Sequence, residues 1–121
     1  MQNKQKDLKK RAYFYALDII RFLEKLPKDY ISQTIGKQLL RSATSVGANI
    51  VEAQAGRTKK DFTNFFTHSL KSANESKFWL CLLRDSKKSN RLETEKLLNE
   101  TIELSNILAA SILTLKGKGK F

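Results

Sequence analysis

The sequence predicts an all-α protein, an antiparallel up-down-up-down four-helix bundle. Three observations carry that expectation. The 121 residues include one Pro and five Gly, so helix breakers are scarce among abundant Leu, Lys, Glu and Ala. Apolar residues recur at alternating spacings of three and four along four stretches, the period of an amphipathic helix. Short connections between such stretches make neighbouring helices antiparallel. A chain of this length supports one core, so residues 1–121 are expected to form a single domain.

Helix 1 is expected over about residues 7–26, with Leu8, Ala12, Tyr15, Ile19, Phe22 and Leu26 on its seam and Pro27 as its stop. Helix 2 is expected over about 31–55, with Leu39, Ala43, Val46, Ile50 and Ala53 in the same spacing and Gly56 as its end. Thr58 with Asp61, and Asn90 with Glu93, are N-cap signals for the two remaining helices. Helix 3 follows over 59–86 on Phe62, Phe65, Ser69, Ala73, Ser76, Leu80 and Leu83. Helix 4 follows over 91–115 on Leu97, Leu104, Leu108, Ser111 and Leu115. The sequence "KGKGKF", residues 116–121, reads as a flexible basic tail.

The stretch "LLRSATSVGANIVEAQAG" in helix 2 carries only Arg41 and Glu52 as charges. Its small residues let neighbouring helices approach the backbone closely, so helix 2 is expected to be the most buried. Arg41, Ser45, Asn49 and Glu52 share a second face, and Ser72 and Glu75 lie one turn apart on helix 3. Facing each other inside the bundle, these six would have to pair, because a lone buried charge costs several kcal/mol. They are expected to form a structural network that sets helix register. Around Phe78, Trp79 and Leu82 the apolar residues surround helix 3 completely, more than a four-helix bundle covers. That surplus points to a self-association interface at Phe78, Trp79 and Leu82.

The formal charge is +11, and residues 1–28 and 58–90 carry +9 of it. A basic surface of this size attracts polyanions through counterion release. The start of helix 1 and the turn between helices 2 and 3 lie at the same end of an up-down bundle. The expected nucleic-acid contacts are therefore Lys9, Lys10, Arg11, Arg57, Lys59 and Lys60, with Lys4 and Lys6 nearby. Lys87, Lys88 and Arg91 would gather at the other end. No RNP, KH or zinc-finger pattern is present, so binding should follow the backbone and depend on salt. Only Tyr13 and Tyr30 suggest themselves for stacking on bases.

Catalysis finds little support. The chain has one His and one Cys, without HExxH, CxxC or GxxxxGK[ST]. His68 reads as a surface helix residue and Cys81 as a small hydrophobe. No metal, cofactor or catalytic residue is expected, and the protein is not expected to be an enzyme. With a single cysteine, no apolar leader behind "MQNKQKDLKK" and a longest apolar run of only "FWLCLL", a cytoplasmic location is expected.

The segment "QLLRSATSVGANIVEA" carries Gln38, Leu39, Arg41, Ser45, Val46, Asn49, Ile50 and Glu52, and "KKDFTNFFTHSLKSANES" carries Lys60, Asp61, Phe62, Phe65, Leu70, Ser72 and Glu75. Together these blocks resemble the bacterial four-helix bundle proteins associated with intervening sequences in 23S ribosomal RNA genes, also called S23 ribosomal proteins. Lys71 and Lys77 depart from the pattern by adding positive charge. The resemblance implies a left-handed bundle assembled as a ring-like homopentamer, related to accessory proteins of diversity-generating retroelements. The expected function is non-catalytic nucleic-acid binding, with RNA favoured. The alternative is a scaffold that docks a protein such as a polymerase or reverse transcriptase.

Overall fold

The computed structural model describes residues 4–117, with side chains from residue 8. Four helices make up this span: α1 (Lys4–Glu24), α2 (Tyr30–Ala55), α3 (Lys59–Asp85) and α4 (Arg91–Gly117). Helix α1 starts ahead of its expected position and ends before Pro27. Helix α4 continues through Lys116 and Gly117, so these two residues are helix and not tail; residues 118–121 lie outside the described span.

Local chemistry explains each boundary. Asp29 caps α2 by accepting from the Ser32 N–H and hydroxyl, both at 2.9 Å. Thr58 accepts from the Asp61 N–H at 3.0 Å and Asn90 from the Glu93 N–H at 2.9 Å, as the two cap signals predict. Gly56 stops α2 at φ −68°, outside the left-handed region. The approach is close: a Cβ there would lie 3.1 Å from the Ala53 carbonyl oxygen and 3.3 Å from the Asp61 Cβ, so a larger residue needs these neighbours to shift by a few tenths of an ångström.

Paired residues establish helix direction. A Cβ on Gly47 would sit 3.4 Å from that of Ala12, and one on Gly36 would touch Leu23 and Leu26, so numbers rise on α2 as they fall on α1. Ser42 meets Ser76 at 2.8 Å and the Ser69 hydroxyl donates to the Val46 carbonyl at 2.8 Å, which reverses α3 against α2. Contact is densest between α2 and α3 and sparsest between α1 and α4. Small residues on α2 allow the first, and an open groove separates the second pair.

The core matches the expected seams of α1 and α2 at every position, from Leu8 to Leu26 and from Leu39 to Ala53. Helix α3 differs in its first turns. Phe66 is fully buried, whereas Phe62 and Phe65 pack on the core from half-buried positions. This extends the regular spacing of Ser69, Ala73, Ser76, Leu80 and Leu83 back by one step, and the Phe62 and Phe66 rings lie 4.5 Å apart. Helix α4 buries Thr94, Thr101, Leu104, Ser105, Leu108 and Ile112, and leaves Leu97, Ser111 and Leu115 half-buried.

Candidate nucleic-acid interface

Antiparallel packing gathers the start of α1, the α2–α3 turn and the end of α4 at one end of the bundle. Lys9, Lys10, Arg57, Lys59, Lys60 and Lys116 are exposed there, and none joins an ion pair among the described residues. Glu52 and Asp61 are the exposed acids near the turn. Arg11 is set apart from the other expected contacts. Its guanidinium forms two hydrogen bonds to Glu100, at 2.7 and 3.1 Å, and approaches Glu103 at 3.7 Å. The Glu100 hydrogen bonds raise the Arg11 pKa further above its usual value. Arg11 therefore ties α1 to α4, while Lys9 and Lys10 remain available to an outside anion.

Cations at the opposite end are largely engaged. Lys25 pairs with Glu93, and Lys88 lies 3.7 Å from Asp29. Arg84 meets Asp85 at 2.9 Å and Glu95 at 3.8 Å, and Arg91 meets Glu95 at 3.5 Å. Lys28, Lys87 and Lys96 are left exposed without an ion pair among the described residues. Among the described residues the first end thus leaves six cations unpaired and the second three.

The six polar residues expected to form an internal network lie instead along the rim between α2 and α3. Arg41, itself exposed, bonds Glu75 and reaches Gln38 at 3.0 Å. The Trp79 indole N–H donates to Glu75 at 2.9 Å. These bonds, Trp79 foremost, hold the Glu75 carboxyl below its ordinary value. Asn49 bonds back to Ser45 within its own helix, Ser72 supplies only its carbonyl to Ser76, and Glu52 is exposed. Arg41 to Glu75 is the link across the seam among these six.

The hydroxyls that join helices in the interior are others: Ser42 with Ser76, Ser69 with Val46, and Tyr15 with Thr101 at 2.7 Å. No buried side-chain nitrogen or oxygen lacks a partner among the described residues. Sequence reading placed Ser69, Ser76 and Tyr15 on seams but did not identify their partners.

Phe78 is 56% exposed and Leu82 37%, while Trp79 is half-buried and meets Phe78 edge to face at 5.0 Å. Tyr13 and Tyr30 are also exposed, at 63% and 83%. A second apolar face, not anticipated from the sequence, follows the outer α1–α2 seam. Tyr13 and Ile20 are exposed on α1, as are Leu40 and Val51 on α2 near the Gly47 contact. Between α1 and α4 runs a groove of about 1070 Å³ with Leu8, Phe14, Tyr15, Phe22, Leu97 and Ile107 among its lining residues.

Among the described residues, no group of three or more His, Cys, Asp or Glu is arranged to hold a metal ion, and no helix is long and apolar enough to cross a membrane. No curated protein matches the chain. A solved structure of a protein with unknown function from the S23 ribosomal protein family of Bacteroides thetaiotaomicron VPI-5482 is similar. It shares 33% identity over 91% of this chain and 98% of the other, with a TM-score of 0.85. The family model of the 23S rRNA-intervening sequence protein matches residues 4–110. The chain, a four-helix all-α protein with a +11 charge, belongs to the 23S rRNA-intervening sequence protein family.

Proposed function

We propose that this protein is a non-catalytic, homo-oligomeric nucleic-acid-binding protein that prefers structured RNA and holds it through phosphates. The observation that carries this reading is the uneven pairing of charge. Lys9, Lys10, Arg57, Lys59, Lys60 and Lys116 are unpaired at one end, while Lys25, Arg84, Lys88 and Arg91 are engaged at the other. Like charges held together without counter-charges raise the free energy of the isolated protein, and a phosphate backbone relieves it.

In this reading the bundle is left-handed and five copies close into a ring, which multiplies the basic end by symmetry. The α1–α2 outer face with Tyr13, Ile20, Leu40 and Val51 supports self-association. The mass of the intact assembly tests the number of copies, with five expected.

Anisotropy titration of an RNA hairpin and a matched DNA duplex across a salt series tests the binding. The expected result is tight, salt-sensitive binding that favours the hairpin and is lost in Lys59→Glu/Lys60→Glu. Equal binding by an unrelated protein of the same charge would overturn the reading. The α1–α4 groove supports a second reading, a scaffold for a polymerase or reverse transcriptase. A specific protein that stays bound after nuclease treatment, with negligible binding to either nucleic acid, would favour it.

A further inference from the structure

Helix α3 has an outward side that neither the core nor the α2 seam uses. Lys60, Asn64, Lys71, Asn74 and Phe78 are all exposed on it. At about 100° per residue they fall within roughly 80° of one another and so form one stripe. It begins at the basic α2–α3 turn and extends about 27 Å along the helix to Phe78. Lys59 and Lys77 share one flank, and His68 lies on the other.

The charge along this stripe is of one sign and unpaired. Lys59, Lys60, Lys71 and Lys77 join no ion pair among the described residues. The neighbouring carboxylates are Asp61, Glu75 and Asp85. Glu75 is held by Arg41 and Trp79, and Asp85 by Arg84, which leaves exposed Asp61 as the opposing charge near the turn.

At the far end, the Phe78 ring is braced by Trp79 at an interplanar angle of 73°. An exposed ring at the end of a row of lysines, with amide side chains between them, matches the requirements of an unpaired nucleotide strand. Cations take the phosphates, amides reach sugars or base edges, and the ring accepts a stacked base.

We propose that this stripe binds a single-stranded segment of RNA, with phosphates on Lys60, Lys71 and Lys77, polar contacts from Asn64 and Asn74, and a base stacked on Phe78. The inference rests on the nucleic-acid reading above and assigns the path of the unpaired strand. Every base has a π-face, so the stripe adds affinity with little sequence preference. A hairpin presents its loop to α3 and its duplex backbone to the basic end.

The test is anisotropy with a short labelled oligouridine across a salt series, with far-UV circular dichroism to verify folding. Phe78→Ala is expected to weaken binding roughly tenfold. Lys71→Gln/Lys77→Gln is expected to reduce the steepness of the logarithmic salt slope by about 1.4, the value for two phosphate contacts on a single strand. Leu113→Ala, an exposed apolar change on α4, should leave both unchanged.

Parent-like binding by Phe78→Ala overturns the proposal, including the case in which that variant loses only its assembly mass. Suppose Lys59→Glu/Lys60→Glu abolishes binding while the Phe78 and Lys71/Lys77 variants bind normally. The α3 path then falls and the basic-end reading stands. If the parent binds neither hairpin nor oligouridine, the nucleic-acid reading itself falls and takes the α3 path with it.

Discussion

Tyr15 shows how much one residue can record about the interior. Its ring lies on the α1 seam, fully buried, and its hydroxyl meets Thr101 at 2.7 Å. Burial pushes the phenol from 10.0 up to about 12, against a smaller opposing effect of the Thr101 hydrogen bond. Ionisation is therefore easier in the unfolded chain than in the native one. The resulting stability is fully present below pH 10 and is lost as pH rises toward 12. Denaturant titrations should show the parent losing stability faster than Tyr15→Phe across that window. At neutral pH the variant should be less stable by about 1 kcal/mol, the usual worth of such a hydrogen bond. Parallel pH profiles for the two proteins would contradict this account. The ring's burial was legible in the 4, 3, 4, 3 spacing, but its partner was not. Thr101 reads as polar, yet its hydroxyl donates to the Leu97 carbonyl at 2.7 Å, which lets it sit in the core.

The same effect explains which elements were legible. Helices α1 and α2 bury strongly apolar or small residues; spacing alone read their apolar seams but passed over buried Ser32, Gly36 and Ser42 on α2. Helix α4 buries Thr94, Thr101 and Ser105, whose hydroxyls are satisfied by carbonyls of the preceding turn at 2.6–2.8 Å. Reading the spacing through leucines passes over such positions and selects Leu97, Ser111 and Leu115 in their place, one residue off buried Ile112 at the last turns. The end of α3 contains a different local conflict. Lys88 donates to the Leu83 carbonyl at 3.0 Å and Lys87 to Arg84 at 3.1 Å, a Schellman turn with Lys87 in the left-handed region at φ 61°. A lysine there bears a steric cost that glycine avoids. Lys87→Gly should stabilise the protein by about 0.5 to 1 kcal/mol, after allowing for the greater freedom of glycine in the unfolded chain. A denaturant midpoint measures this, and a lower midpoint for the variant would contradict the assignment.

At the scale of the whole molecule, charge pairing distinguishes the two ends. Charge counts along the sequence marked both ends as basic, and topology placed Lys9, Lys10, Arg57, Lys59 and Lys60 together. The fate of each cation was not legible, because pairing depends on which acids the fold brings within reach. Arg11 lies two positions from Lys9 in the chain yet bonds Glu100, and Lys88 lies beside Asp29. The expected polar network moved to the rim for a related reason: Arg41 and Glu75 meet at the helix surface, where water shares their desolvation cost.

The central claim is that unpaired charge at one end holds RNA. The most direct measurement compares hairpin affinity and salt slope for Lys59→Glu/Lys60→Glu with those for Lys28→Glu/Lys87→Glu. Both variants change net charge equally. The account predicts a large loss of affinity and a shallower slope for the first, and a much smaller effect for the second. Equal losses from both would show that net charge alone attracts the RNA and would contradict a defined binding end.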